Sequence, residues 1–225
     1  MAELVFMLDV DNTLVDNDRV KEDLSARVEA LMGPERAARW WDLYEQVRRE
    51  TDVVDLPRTL TRFRAAFPDE SRFPHLADYV LGLPFDRYVY PGALEALAHL
   101  HALGRPVIVS DGDAVYQAAK IARAGLAAAV DDHVLIYLHK ETHLLEIVQR
   151  YPADHYVLVD DKPRILAAAK GMLGERLTTL HVVQGHYAHP AERASYPPPD
   201  LAVDAIGDVR DLGPETFLGR GHYFG

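Results

Sequence analysis

The sequence predicts an α/β fold: a parallel sheet interleaved with helices and broken once by an all-helical insert. Three observations carry this. Several short runs are apolar without alternation, as in strands covered on both faces. Helical patterns lie between them, which is the mark of right-handed crossovers in a parallel sheet. Residues 17 to about 86 show no strand pattern at all. The 225 residues suit one large domain, or a domain with an insert, and at this size folding buries roughly 70% of the unfolded surface.

The elements follow in order. Residues 4–8 (LVFML) form the first predicted strand, ending abruptly in acid. Helix-like stretches near 18–32, 35–50, 57–67 and 72–81 make up the insert. Gly33-Pro34, Leu56-Pro57 and Phe67-Pro68 punctuate them as turn and helix-start signals. Strand patterns return at 106–110, 133–137, 156–160 and 178–183, with helices at 92–103, 114–124, 141–150 and 163–173 between them. Residues 186–200 are Pro-rich and polar and read as a surface loop. Residues 201–212 add a last short strand and turn, and 213–225 read as a loosely held tail. The predicted division is 1–16 and 88–225 as core, with 17–87 as a helical cap.

Composition narrows the function. Hydrophobic residues are 48% and charged residues 26%, as in soluble globular proteins. Cys is absent, which excludes disulfides, thiolate metal sites and a Cys nucleophile, and fits a reducing compartment. The net charge of −11 argues against general nucleic-acid binding, because that affinity comes from basic surface. The start MAELVFMLDVDNT lacks the basic region of a signal peptide, and no run approaches the ~20 apolar residues that span a bilayer. The expectation is a cytoplasmic protein with no membrane or nucleic-acid partner; its oligomeric state is open.

Three predicted strands end in polar or acidic residues: Asp9-Val10-Asp11-Asn12-Thr13, Ser110-Asp111-Gly112-Asp113, and Asp160-Asp161. Ligands of open parallel sheets bind at the carboxyl ends of the strands. If these strands are neighbours, their carboxylates converge and repel unless a hard divalent cation joins them. Magnesium, which takes one or two carboxylates plus phosphate, fits. The competing reading of any one cluster is a helix N-cap.

With these residues the chain resembles the haloacid dehalogenase superfamily of phosphohydrolases, over residues 1–16 and about 88–212. Motif I of that family, a strand ending in DxDx(T/V), is Asp9-Val10-Asp11-Asn12-Thr13 here. Motif II, a strand ending in Ser or Thr, is Ser110. Motif III, a Lys ahead of a helix, is Lys140. Motif IV, an acidic pair, is Asp160-Asp161. The resemblance implies a Rossmann-like core with a small helical cap between motifs I and II. It implies a magnesium-dependent phosphatase acting on a small phosphorylated substrate. Asp9 would be the nucleophile, forming an aspartyl-phosphate. Asp11 would protonate the leaving oxygen and then deprotonate water. Magnesium would take the Asp9 side chain, the Asp11 carbonyl and Asp161, with Asp160 outside the ligand set and Thr13 buttressing the loop. Ser110, backbone N–H groups near Asp111, and Lys140 would hold the phosphate. Dehalogenases of the family lack an Asp at the place of Asp11, so phosphate esters are favoured over carbon–halogen bonds.

Two features depart from the pattern. Lys140 is followed by Glu141 rather than Pro, and its distance from Asp160 is short. Lys162 is therefore a rival cation, although a solvated helix start is its simpler reading. In the cap, Arg48, Arg49, Arg58 and Arg62 are candidates to reach the site, and Trp40, Trp41 and Tyr44 read as cap core. His139 and His143 do not make a zinc-protease motif, because Glu141 is one place late. The acidic run from Asp9 fails as a calcium loop, with Leu14 and Val20 at the positions needing Gly and Glu. No P-loop, dinucleotide fingerprint or GxSxG elbow occurs. The rival functions are a phosphomutase, which shares the Asp pair, and a receiver-like phospho-acceptor domain, against which the first-strand DxD and the long insert both argue.

Overall fold

The computed structural model describes residues 3–219. Its centre is a six-stranded, wholly parallel sheet: β1 (Leu4–Leu8), β2 (Arg105–Asp111), β3 (Val134–Tyr137), β4 (His155–Asp160), β5 (Leu177–Val182) and β6 (Leu201–Val203). The strand order is β3-β2-β1-β4-β5-β6. The chain thus winds outward one way from β1 and then the other, and the crevice at the C-terminal ends of β1 and β4 is where such sheets bind ligands. The three acid-tipped strands are neighbours, as the converging carboxylates require.

Both faces of the sheet are covered, which is why its strands read as continuous apolar runs. Val5, Met7, Val107, Val109 and Leu158 pack on one face against Leu144 and Ile147 of α8 (Leu144–Arg150) and Ile165 and Leu166 of α9 (Pro163–Leu173). Leu4, Phe6, Leu8, Ile108 and Val157 pack on the other against α5 (Ala93–Leu103).

Four helices lie between β1 and α5: α1 (Asn17–Met32), α2 (Pro34–Thr51), α3 (Leu56–Ala66) and α4 (Phe73–Leu81). Their starts follow their capping chemistry. Asp16 accepts the Arg19 N–H, Asp55 accepts the Arg58 N–H, and Pro34 and Pro57 stand in the first turns of α2 and α3. Val20, Leu24, Val28, Trp40, Leu43, Leu60 and Phe63 form their shared core. That core runs on through Phe85, Tyr88 and Leu14 into the Phe6 face of the sheet, so the insert and the sheet share one apolar cluster.

After β2 come α6 (Ala114–Arg123), capped by Asp113, and α7 (Leu126–Ala129). Three elements differ from the sequence reading. The helix expected at 141–150 is a 3₁₀ turn at Lys140–Thr142 followed by α8. The loop at 186–200 contains the short helix α10 (Pro190–Ala194). Within the tail, Pro214–Phe217 forms α11, with Phe217 fully buried and its ring 5.1 Å edge-on from Phe6. The expectation of a loose tail is wrong there; its end, residues 220–225, lies outside the described residues. No helix among the described residues is long and apolar enough to cross a membrane.

Candidate active site

Asp9 sits one residue past β1, buried, with its N–H bonded to the Val159 carbonyl of β4 at 3.0 Å. One carboxylate oxygen meets the Lys140 ammonium. The other accepts the Thr13 hydroxyl at 3.3 Å and lies 4.0 Å from Lys162 Nζ. Burial opposes charge on Asp9, but Lys140 and Lys162 outweigh it and hold the carboxyl below its ordinary value. Thr13 is fully buried.

Asp160 and Asp161 are wholly buried at the end of β4. Asp160 is already engaged: Oδ2 lies 2.7 Å from Lys140 Nζ, and Oδ1 accepts the Lys162 N–H at 2.9 Å. Asp161 is not: both its oxygens are buried without a hydrogen-bond donor. Burial pushes its carboxyl well above the usual range, with Asp9 and Asp160 adding to it against the pull of Lys162. Carboxylate oxygens of Asp9, Asp160 and Asp161 lie within 4.8 Å of one another. An orphaned buried carboxylate beside two others fits a hard divalent cation, and this donor set suits magnesium.

Ser110 is the penultimate residue of β2 and is buried. Its Oγ accepts the Gln117 side-chain amide at 2.8 Å, and the nearest acceptor for its own hydrogen is the Asp111 carbonyl at 3.5 Å. Asp111 follows, near which backbone N–H groups are expected to complete the phosphate cup. Its carboxylate turns back to accept the Lys140 N–H at 2.7 Å, and the adjacent Gly112 N–H is spent on the Tyr137 carbonyl. Asp111 therefore orders the loop that carries Lys140. Gly112, at φ +156°, could not be replaced without strain: an added Cβ would come 3.0 Å from Gln117 Cβ.

Asp11 points to α6. One oxygen meets Lys120 Nζ, and the other accepts the Gln117 amide at 3.2 Å. Lys120 is 2% exposed and also bonds Asn17 Oδ1 at 3.0 Å. Gln117 and Lys120 escaped the sequence reading. The available signal was two polar residues on the same helical face as Ile121, a spacing that places them inward. Gln184 also escaped it: its amide bonds the Asn12 and Thr13 carbonyls and pins the motif I loop to the end of β5. Beside it, Gly185 has φ +70° and stands where a Cβ would meet Asn12 Cβ at 2.6 Å.

A cavity of about 320 Å³ opens beside these residues, lined by Asp11, Gly112, Gln117 and Lys162 around the sheet's C-terminal edge and by Lys21, Tyr44 and Arg48 of α1 and α2. Lys162 is thus part of the site, against the reading of a solvated helix start. Of the four candidate arginines, Arg48 alone lines this cavity; Arg62 is paired with Glu50, and Arg49 and Arg58 are exposed. Trp40 is core, edge-on to Phe63. Tyr44 is both core and cavity wall, and burial raises its hydroxyl to about 12.

Residues 4–172 match the family of haloacid dehalogenase-like hydrolases. The fold is similar to that of a Burkholderia xenovorans LB400 protein assigned as a haloacid dehalogenase-like hydrolase. The identity is 47%, over 95% of this chain and all of that one, with a TM-score of 0.85. It is also similar to the L-2-haloacid dehalogenase of Xanthobacter autotrophicus (21% identity, 94% of this chain and 98% of that one, TM-score 0.60). A Thermotoga maritima protein assigned as a β-phosphoglucomutase matches likewise (18% identity, 93% and 97%, TM-score 0.59). The last two likenesses speak to fold alone. No curated protein matches the sequence.

Proposed function

The chain belongs to the haloacid dehalogenase-like hydrolase family, and from that premise we propose that it hydrolyses phosphate monoesters of small molecules in a magnesium-dependent reaction. The observation that carries this reading is Asp161, whose two buried oxygens have no donor and lie beside Asp9. A cation held by Asp9 and Asp161, with the Asp11 carbonyl, would supply charge neutralisation for an incoming phosphoryl group. Asp11 supports the ester over the carbon–halogen bond, because only an ester leaves an alkoxide in need of a proton.

In the reaction proposed, an Asp9 oxygen bonds phosphorus as the bond to the ester oxygen breaks. Asp11 gives its proton to that departing oxygen. A water then attacks the aspartyl-phosphate, giving its proton to Asp11, and the Asp9–phosphorus bond breaks to release phosphate. The Ser110 hydroxyl accepts from Gln117, which leaves its own hydrogen free to turn toward a phosphoryl oxygen. Thr13 and Lys140 hold the Asp9 carboxylate in place.

The test is turnover of a panel of phosphorylated metabolites, with and without magnesium, beside a panel of 2-haloacids. Metal-dependent phosphate release is expected, with no halide release. Halide release without phosphate release would overturn the reading, and turnover only with a bisphosphate primer would turn it to a phosphomutase.

A further inference from the structure

The two lysines of the site are differently placed. Lys140 is 1% exposed, and its ammonium pairs with both Asp9 and Asp160. Lys162 is 23% exposed and lines the cavity. Its Nζ stands 4.0 Å from Asp9 Oδ2 and 3.9 Å from Asp161 Oδ1. Both distances exceed hydrogen-bond length, so charge alone holds this ammonium and its hydrogens remain for another acceptor.

We propose that Lys162 supplies the cavity-side cationic contact to the phosphoryl group of the substrate, while Lys140 is a positioning residue that holds Asp9 and Asp160. The inference rests on the phosphatase reading. Asp9, Asp160 and Asp161 face the approaching phosphoryl dianion with Lys140 and Lys162 as their cationic side chains, so beside the cation proposed at Asp9 and Asp161 a positive side chain on the dianion's path further offsets the repulsion. Of the two lysines, only Lys162 lines the cavity from which the dianion comes. Phosphorus bonded to Asp9 brings its oxygens toward an ammonium already about 4 Å from that carboxylate. A lysine binds such oxygens as a compact point charge on a flexible stem.

The test compares the full chain with Lys162→Met, Lys162→Gln and Lys162→Arg, in magnesium, on an aryl phosphate. The readouts are the inhibition constant of inorganic phosphate, KM, and the magnesium concentration for half-activation. Loss of one charge-assisted contact weakens phosphate inhibition about 10- to 100-fold in the Met and Gln variants. KM rises in parallel, and Arg restores most of the loss. Half-activation by magnesium stays the same or falls, because a positive charge has left the cation's neighbourhood. Phosphate inhibition within about twofold of wild type overturns the proposal. A loss that follows weakened magnesium activation also overturns it, because it assigns Lys162 to the acidic cluster instead. Wild-type turnover with unchanged variants sinks this inference alone; wild type inert toward every phosphate ester sinks the phosphatase reading with it.

Discussion

The Lys120 ammonium ends against the Asp11 carboxylate, with 2% of the lysine side chain exposed and 27% of the aspartate. It also bonds Asn17, the first residue of α1, so one side chain of α6 holds both the motif I loop and the start of the helical insert. In the proposed role of acid and base, Asp11 must turn from this partner to reach a leaving oxygen. The pair is lopsided, and that gives the first prediction. Asp11→Ala strands a buried ammonium and costs about 3 kcal/mol of stability. Lys120→Met puts an apolar chain beside Phe85 and leaves Asp11 in touch with water, at about 1 kcal/mol. Urea unfolding of both variants checks the order, and equal losses contradict it.

Asp161 sets up the second prediction. Its carboxyl is buried without a donor and burial opposes its ionisation, so Asp161→Asn is expected to raise the thermal midpoint of the metal-free protein. Magnesium then stabilises wild type, by binding the folded state only, and not the variant. Turnover of Asp161→Ala is lost. Asp160→Ala falls by roughly 10–100-fold, because Asp160 orients Lys140 and the turn at Lys162 rather than the cation. Thermal scans with and without magnesium decide it. Stabilisation of Asp161→Asn by magnesium equal to that of wild type would remove Asp161 from the ligand set.

Glu70 gives a pH dependence far from the site. The Arg72 side chain and N–H bond its carboxylate, Arg36 adds to them, and together they hold its pKa at about 2 against an ordinary 4.5. A carboxyl depressed on folding stabilises the fold above its ordinary value, and that support is lost as pH falls toward the folded value. Glu70→Gln is therefore expected to be less stable than wild type near neutrality. The difference narrows as pH falls from 4.5 toward 2. Urea midpoints across that range test it, and a pH-independent difference contradicts the arginine clasp.

Much of this was legible from residues because the sheet is buried on both faces. Continuous apolar runs ending in Asp9, Ser110 and Asp160 marked three strands, and the fold makes them neighbours. Pro34 and Pro57 marked helix starts in the insert for equally local reasons. What escaped depends on distant partners. Phe217 lies in a Gly-rich end without periodicity, and its place on Phe6 is a tertiary matter. Gln117 and Lys120 read as ordinary helix residues until the fold brings Asp11 over them. Asp111 read as part of the phosphate cup, and only the fold of the Lys140 turn shows its carboxylate engaged there.

The most direct test of the covalent mechanism is the intact mass of the Asp11→Asn protein, quenched early in its reaction with an aryl phosphate. A good leaving group needs little protonation, so phosphorylation of Asp9 proceeds, while hydrolysis lacks its base and slows by about 10²–10⁴-fold. The predicted result is a mass increment of one phosphoryl group, mapped to the peptide carrying Asp9, labile to hydroxylamine and absent from Asp9→Asn. An increment on Asp9→Asn contradicts the mechanism. So does partial turnover by both variants with no increment on either, which would assign the attack on phosphorus to water rather than to Asp9.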